Sequence, residues 1–423
     1  MSIDAMNAEF EKLCVVGLGY VGLPTAAVFA SRGLDVLGYD INPETVNLIN
    51  EGRVHIVEPD LDILVNGAVA RGKLKAATAP EPADVFIIAV PTPFADGHKP
   101  DLAYLQAAAE AIAPVLVAGN LIIIESTSPV GTTQRVSEWL AEQRPDLNFP
   151  HTHGETADVC LAHSPERVLP GRVLIELTRN DRVVGGMTRR CAEQAAAFYR
   201  IAVDGRCLLT TAATAELVKL AENAYRDVNI AFANELSVVC DNLGIDVWEA
   251  VELANHHPRV DILQPGPGVG GHCIAVDPWF IVDSSPDDTP LIRTAREVND
   301  TKPDRVVAAA KALCEGLDNP TVACLGLAYK ADIDDLRESP AVDITRALAW
   351  QLNGTVLVVE PHIRELPTDL ADMKNLSLVD LQTAYEQAQV IVLLTDHATF
   401  KDLPPVPRDG QHLIDTRGAW RKT

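Results

Sequence analysis

Leu13-Cys14-Val15-Val16-Gly17-Leu18-Gly19-Tyr20-Val21-Gly22 opens the stretch that decides the fold, and the stretch closes on Asp40. Residues 13–16 are apolar and read as a buried strand, and the glycines that follow have GxGxxG spacing. Residues 21–32 read as a helix that stops at Gly33, and a second apolar run, 34–39, leads into Asp40. Strand, glycine turn, helix, strand and acid is the order that dinucleotide binding requires: glycines let backbone N–H groups reach a pyrophosphate, and the acid takes ribose hydroxyls. By itself the glycine spacing could be a tight helix–sheet turn; the acid about 20 residues on is what selects the dinucleotide reading. A carboxylate there repels the extra phosphate of NADP, so the expected cofactor is NAD, held by Gly17, Gly19, Tyr20, Val21, Gly22 and Asp40. Asn42 with Pro43 and Glu44 is expected to cap the next helix.

Outward from this unit the strand pattern continues. Residues 83–90 and 121–124 read as buried parallel strands that exit into Pro91-Thr92-Pro93 and Glu125-Ser126-Thr127-Ser128-Pro129. In an open α/β sheet, ligands lie beyond the carboxyl ends of the strands, which makes Thr92 and Thr127 cofactor-side candidates. Thr127 has a second reading, as the cap of a helix starting near Pro129. A further strand at 159–162 exits into His163-Ser164-Pro165-Glu166-Arg167-Val168-Leu169-Pro170-Gly171. Glu166 and Arg167 leaving a strand together suit a site that moves a proton and holds an anion, or else form a surface ion pair. Residues 183–186 and a helix through Tyr199 complete this part.

Length and composition set the frame. A chain of 423 residues points to two or three domains. A net charge of -24 speaks against nucleic acid or an anionic membrane as partner, since both need an excess of Lys and Arg. No apolar run approaches the roughly 18 residues of a membrane span, and the opening MSIDAMNAEFEK lacks the basic and apolar regions of a signal peptide, so the expected location is the cytoplasm. The eight cysteines form no CxxC pair and no dense spacing, which predicts neither a disulfide framework nor a zinc site. His256 and His257 have no third ligand at a regular interval, so no metal is expected.

Residues 212–243 contain no Pro or Gly and read as one helix of roughly 45 Å. Lys219, Asn223 and Arg226 fall on one face of it, as converging site groups or as a solvated stripe with Lys219 paired to Glu222. Its apolar opposite face could pack against a second copy, which predicts a homodimer through this helix. A shorter helix, 247–254, precedes Gln264-Pro265-Gly266-Pro267-Gly268-Val269-Gly270-Gly271-His272-Cys273-Ile274-Ala275-Val276-Asp277-Pro278. Cys273 is a thiol among small residues with a carboxylate four positions on. Beside NAD, such a cysteine points to oxidation at the aldehyde level, because a thiohemiacetal yields hydride and leaves a thioester that water can cleave. A free thiol has a pKa of about 8.5, and His272 or a helix N-terminus nearby would lower it.

After residues 298–303 a further helix is expected, and strands at 322–329, 356–359, 390–394 and 413–415 then alternate with helices as a second open sheet. Its first strand exits as Gly326-Leu327-Ala328-Tyr329-Lys330, with Arg337-Glu338-Ser339-Pro340 beyond, which suits phosphates other than a dinucleotide's. The fold class expected is α/β: two Rossmann-like open parallel-sheet domains joined by a long central helix, with boundaries at 1–211, 212–303 and 304–423.

GLGYVG, VPTP, STSPVGTT, SPER, KLAENAYRDVNIAFANE, PGPGVGGHC with Asp277, and GLAYK followed by RESP together resemble the nucleotide-sugar 6-dehydrogenase family, the group containing UDP-glucose dehydrogenase, over nearly the whole chain. The resemblance implies an NAD domain, a central dimerisation helix and a carboxy-terminal domain that helps hold UDP. It makes Cys273 the thiolate that takes the sugar aldehyde, Lys219 the group that polarises the C6 oxygen, and Asn223 its oxyanion-site companion. Asp277 would orient Lys219 or water, and Thr127 and Glu166 would assist with water and protons. Arg167, Val168, Lys219, Asn223, Arg226, His257, Arg259, Gly270 and Lys330 resemble substrate-binding positions, and Arg337 a cofactor contact. UDP-glucose enzymes carry Ser before the cysteine, FPKD after it and a second Glu four residues beyond the first; here those places hold His272, residues 274–277 ending in Asp277, and Pro170. The departures resemble the UDP-N-acetylhexosamine branch. The implied activity is four-electron oxidation of UDP-N-acetylmannosamine at C6 for surface polysaccharide synthesis, with UDP-N-acetylglucosamine as the alternative substrate and a non-catalytic NAD-sensing protein as the alternative class.

Overall fold

The structure, a computed structural model, describes residues 10–169, 171–271 and 273–421. His272 and Pro170, two positions that separate the branches above, lie outside the described residues. The chain divides between Ala221 and Glu222 into two compact units.

In the first unit, strands β1 (Lys12–Val16), β2 (Asp35–Tyr39), β3 (Leu74–Ala77), β4 (Val85–Ile88), β5 (Leu121–Ile124), β6 (Cys160–His163), β7 (Arg182–Gly186) and β8 (Cys207–Thr211) form one sheet in the order β8-β7-β6-β5-β4-β1-β2-β3. β1 is an interior strand, with Cys14 in register with Leu37 on one side and Phe86 on the other. Successive side chains take opposite faces: Leu13 and Val15 enter a core with Leu23, Phe29 and Phe198, whereas Cys14 and Val16 enter a second core with Phe86, Ile122 and Leu140. Burial on both faces is why these strands read as unbroken apolar runs.

The sheet is dominated by parallel pairs, as the sequence predicts, with one reversal. β7 runs antiparallel to β6, with Ala162 opposite Gly186, and β8 runs parallel to β7. Among the described residues the link from β6 to β7 contains only the short helix Val173–Arg179, and a run of buried apolar residues carries no signal of strand direction. β3 and β8, one short and one an exposed edge, add two strands to those the sequence predicts.

Helix α1 (Gly22–Ser31) follows the glycine turn, and α2 (Pro43–Asn50) is capped by Asn42, whose side chain accepts the Glu44 amide at 2.9 Å. Helix α3 (Thr132–Gln143) begins three residues after Pro129, behind Gly131 at φ 95°. Thr127 is therefore not its cap. Helix α4 (Ala212–Leu243) is continuous over 32 residues, or about 48 Å, and contributes residues to both units.

In the second unit, α5 (Val247–Asn255) starts on Asp246, whose carboxylate accepts the Trp248 amide at 2.8 Å, and α6 (Asp277–Ser284) follows the cysteine stretch. Helix α7 (Pro290–Cys314) runs through Pro303, so residues 298–303 lie inside the helix that the sequence placed after them. The lost amide is tolerated because α7 is fixed on both sides of it, by buried Arg296 and Asn299 before and by Val306, Val307 and Ala310 after. Strands β9 (Thr321–Leu325), β10 (Thr355–Val359), β11 (Leu376–Leu378), β12 (Val390–Leu393) and β13 (His412–Asp415) form a wholly parallel sheet in the order β11-β10-β9-β12-β13, with helix α8 (Pro340–Gln351) packed beside it. β11, three residues long, is too short to leave a strand pattern in the sequence. Among the described residues no helix is long and apolar enough to cross a membrane.

Candidate functional site

The three glycines after β1 have three different reasons to be glycine. Gly17 has φ 90°, and a Cβ there would lie 2.7 Å from the Ala89 carbonyl oxygen. A Cβ on Gly22 would lie 1.8 Å from the Gly17 carbonyl oxygen, so the helix start is pressed onto the turn. A Cβ on Gly19 meets no protein atom within 4 Å; its bareness serves the open side. Asp40 braces the turn, accepting the Leu18 amide at 3.0 Å and the Asn42 amide at 2.9 Å. Exposed Tyr20 and half-buried Val21 complete the edge. One packed glycine, one twisted, one open and an acid at the next strand end are the cradle that a dinucleotide pyrophosphate and ribose fit. At the neighbouring strand ends, the Thr92 hydroxyl donates to the Thr127 carbonyl at 2.5 Å, tying the exits of β4 and β5 together.

Behind Thr127 and Glu166 lies a buried polar cluster that the sequence did not reveal. Glu125 accepts from Arg182 Nη1 at 2.7 Å and from the Tyr199 hydroxyl at 2.7 Å, and the Arg182 guanidinium stands 4.2 Å from the centre of the Tyr199 ring. Arg182 also reaches the Ser164 hydroxyl at 3.4 Å. The cluster joins residues two positions before Thr127 and two before Glu166. Desolvation pushes the Glu166 carboxyl above its ordinary range, and the Lys219 ammonium pulls partly against that shift. Glu166 is half-buried and accepts the Val168 amide, while Arg167 donates to the Asp181 carbonyl at 3.2 Å. His163 is fully buried, and burial pushes it down to about 3, so its ring is neutral.

On α4 the buried polar residues are Glu216, Lys219, Asn223, Asp227, Asn234 and Ser237, a row in steps of three, four and seven. Lys219 and Asn223 are therefore not part of a solvated stripe. Arg226, at the edge of the row, is exposed. Glu216 supplies the cap that Thr127 does not: its carboxylate accepts the amides of Gly131 and Thr133, each at 2.7 Å.

In the second unit Cys273 is exposed, whereas Cys207 is half-buried and the other six cysteines are buried. Its carbonyl accepts the amides of Val276 at 3.1 Å and Asp277 at 2.9 Å, a turn that leads directly into α6. Asp277 is buried and accepts from Asn223 Nδ2 at 2.5 Å. The glycines before the cysteine are required by packing: a Cβ on Gly270 would lie 2.4 Å from the Glu338 carbonyl oxygen, and Gly271, at φ 85°, would meet the Tyr329 ring at 2.9 Å. The loop is thus docked on the GLAYK and RESP segments. Gly270 contributes backbone only, His257 and Arg259 are exposed on the turn after α5, and Lys330 is half-buried past β9. Arg337 pairs with Asp335 at 2.7 Å.

The second sheet repeats the architecture of the first at its centre. Gly326 follows β9 at φ 90°, as Gly17 follows β1, and Glu360 at the end of β10 accepts the amides of Leu327 and Ala328 at 2.7 and 3.1 Å. Here the acid is buried and also meets His397 Nε2 at 3.1 Å, so it is occupied internally where Asp40 is half-open. His397 with Asp332 and His362 forms a ligand-like trio, but His397 Nδ1 already accepts the Asp332 amide at 2.9 Å, and both its nitrogens are committed.

Three family descriptions match in succession: the UDP-glucose/GDP-mannose dehydrogenase NAD binding domain over residues 11–203, central domain over 213–301 and UDP binding domain over 323–422. The chain belongs to the UDP-glucose/GDP-mannose dehydrogenase family. Like the rest of that family it is an NAD-dependent dehydrogenase of nucleotide sugars. It is 58% identical over 416 residues to an NDP-N-acetyl-D-galactosaminuronic acid dehydrogenase of Ralstonia nicotianae, covering 98% of each chain. It is 58% identical over 393 residues to a UDP-N-acetyl-D-mannosamine dehydrogenase of Campylobacter jejuni, covering 93% of this chain and 97% of that one. Its fold matches the UDP-D-ManNAc dehydrogenase structure of Pyrococcus horikoshii with a TM-score of 0.87 at 39% identity, covering 97% and 96% of the two chains. Glu125, Arg182, Glu216 and Asn234 escaped the sequence reading; Glu125 and Arg182 flank buried apolar strand runs, and Glu216 and Asn234 lie in the same periodic polar row of α4 as Lys219 and Asn223, which is the signal that could have found them.

Proposed function

We propose that the protein oxidises UDP-N-acetyl-D-mannosamine at C6 to UDP-N-acetyl-D-mannosaminuronate, for surface polysaccharide synthesis. The observation that carries the cysteine chemistry is the contrast between exposed Cys273, on a loop that its glycines pin down, and the other seven cysteines, six buried and one half-buried. NAD, held at the β1 turn, supplies the hydride acceptor for each of the two oxidations. Overall, the alcohol, two NAD and one water give the carboxylate, two NADH and three protons. In this reading Cys273 adds to the C6 aldehyde as a thiohemiacetal and is released by water from the thioester. Lys219 polarises the C6 oxygen with Asn223 one helical turn on, Asp277 is held ready by Asn223, and Glu166 and Thr127 handle water and protons. Arg167, Val168, Arg226, His257, Arg259, Gly270 and Lys330 would hold the UDP-sugar, and Arg337 would reach the cofactor. The parts would act as three domains, 1–211, 212–303 and 304–423.

Counting NADH against sugar tests the reading, with UDP-ManNAc, UDP-GlcNAc, UDP-GalNAc and UDP-glucose offered separately. Two NADH per UDP-ManNAc are expected; one per sugar, or preference for glucose, removes it. A galacto-configured substrate is the second reading, favoured by the name of the Ralstonia relative, and the same assay separates the two. Cys273→Ser is expected to abolish uronate formation and leave NAD binding intact. Leu217, Tyr225, Phe232, Val239 and Leu243 form an exposed apolar line along α4, which supports a homodimer through this helix. Phe232→Glu is expected to give monomers by light scattering. Free thiols throughout suit the reducing cytoplasm.

A further inference from the structure

We propose that Asn234 is a positioning residue for Cys273, set in its working orientation by Asp227 through Asn299. The inference rests on the cysteine reading above. Asp227 is fully buried and, as a carboxylate, can only accept. Its Oδ1 takes Arg296 Nη1 at 2.5 Å and Asn299 Nδ2 at 2.7 Å, and Asn299 Nδ2 also reaches the Asp227 backbone carbonyl at 3.0 Å. The amide nitrogen of Asn299 must therefore face Asp227, which turns its oxygen the other way. That oxygen accepts from Asn234 Nδ2 at 2.9 Å, so the oxygen of Asn234 is in turn directed outward. It accepts the Gly266 amide at 2.8 Å. An acceptor-only group at one end thus fixes the orientation of two side-chain amides and ends on the backbone of the cysteine loop.

The other end of that loop is held by the same helix. Asn223, eleven residues before Asn234 on α4, donates to Asp277 at 2.5 Å, and Asn229 between them accepts the Leu263 amide at 3.1 Å and donates to the Asp261 carbonyl at 3.0 Å. Gly266 lies seven residues before Cys273 and Asp277 four after. Between them the Gly271 amide meets the Glu338 carbonyl at 3.3 Å, and the glycine contacts with Tyr329 and Pro340 allow no side chain. The thiol is presented by a segment gripped at both ends from one rigid helix, which is how a reacting atom is kept within a fraction of an ångström of its working place. Arg296 also pairs with Asp300, one turn on along α7, which anchors the start of the relay.

The test is the rate at which iodoacetamide modifies Cys273 in the full-length enzyme, followed by peptide mass spectrometry, together with steady-state kinetics. Asn234→Ala is expected to slow Cys273 modification at neutral pH and to lower kcat, each by about tenfold or more, while KM for either substrate changes less than about threefold. The thiol slows because the loop that presents it loses its hold on α4 at Gly266. Asn234→Asp keeps the acceptor for Gly266 but sets a carboxylate against the Asn299 oxygen, and is expected to fall between wild type and the alanine variant. Should Asn234→Ala not fold, Asn299→Ala takes its place, with the same direction and a smaller effect. A variant with normal Cys273 modification, whatever its kcat, overturns the proposal. Failure of the cysteine reading is separate: it is seen in the wild type, if full modification of Cys273 leaves turnover intact.

Discussion

Glu216 on α4 and Thr133 on α3 are joined twice through one carboxylate oxygen, to the Thr133 amide at 2.7 Å and its hydroxyl at 2.6 Å. The other oxygen takes the Gly131 amide at 2.7 Å, so a residue 83 positions away caps the helix that follows the Thr127 turn. Three residues further along α4 stands Lys219. Glu216→Ala leaves these donors facing no acceptor, and a stability loss of about 1–3 kcal/mol is expected, read as a lower urea midpoint at unchanged slope. Turnover should fall with it at temperatures where the variant is still folded, because the cap positions the turn that carries Thr127. An unchanged midpoint would show that water replaces the carboxylate at no cost.

Arg182 and Glu125 are both buried and lie 2.7 Å apart. Removing one charge of such a pair strands the other: Arg182→Met is expected to cost about 3–5 kcal/mol. Arg182→Met combined with Glu125→Gln removes both charges and leaves the Tyr199 hydroxyl a partner, so much of the loss should return. The measurement is a double-mutant cycle in denaturant. Additive losses would mean that the pair is not coupled.

Desolvation raises the Glu166 carboxyl above its free-chain value, with the Lys219 ammonium opposing in part. An acid with a raised folded pKa favours folding while it is protonated. Its contribution is complete below the free-chain value, about 4.5, and is lost as pH rises through the folded value. Glu166→Gln mimics the protonated form at every pH. It should therefore be at least as heat-stable as the wild type at pH 8, with the difference shrinking toward pH 4.5. Turnover should nevertheless fall by about a hundredfold if this carboxyl transfers protons. A variant that is less stable at pH 8 than at pH 5, relative to wild type, contradicts the sign.

The NAD unit was legible because all of its determinants fall within one continuous stretch, from β1 through three glycines to Asp40. Gly17 and Gly22 then proved to have local reasons that backbone geometry supplies, whereas Gly19 faces the open side. The long helix was legible for the same kind of reason, an uninterrupted run without Pro or Gly. What escaped reading depends on partners far apart in the chain. Glu216 pairs with Thr133, Arg182 with Glu125 and Asn234 with Asn299, and periodicity alone cannot name the partner that satisfies a buried polar residue. The reversal of β7 escaped because apolar runs have no direction. The glycines before Cys273 were legible as a loop but not as a packing surface, since Tyr329 and Glu338 lie more than fifty residues on.

Gly19 and Gly22 separate folding from cofactor binding within one motif. A Cβ at Gly22 would sit 1.8 Å from the Gly17 carbonyl oxygen, an overlap with backbone that only displacement of the turn relieves. Gly22→Ala is expected to lose about 1–3 kcal/mol of stability and to bind NAD poorly in whatever fraction folds. At Gly19 a Cβ meets nothing, so Gly19→Ala should fold within about 0.5 kcal/mol of wild type. It should still weaken NAD, because the added methyl occupies the side on which the pyrophosphate must approach the backbone closely. Calorimetric titration with NAD beside thermal unfolding distinguishes the two. Tight NAD binding by Gly19→Ala would move the pyrophosphate away from this turn, and with it the assignment of the open glycine to the cofactor.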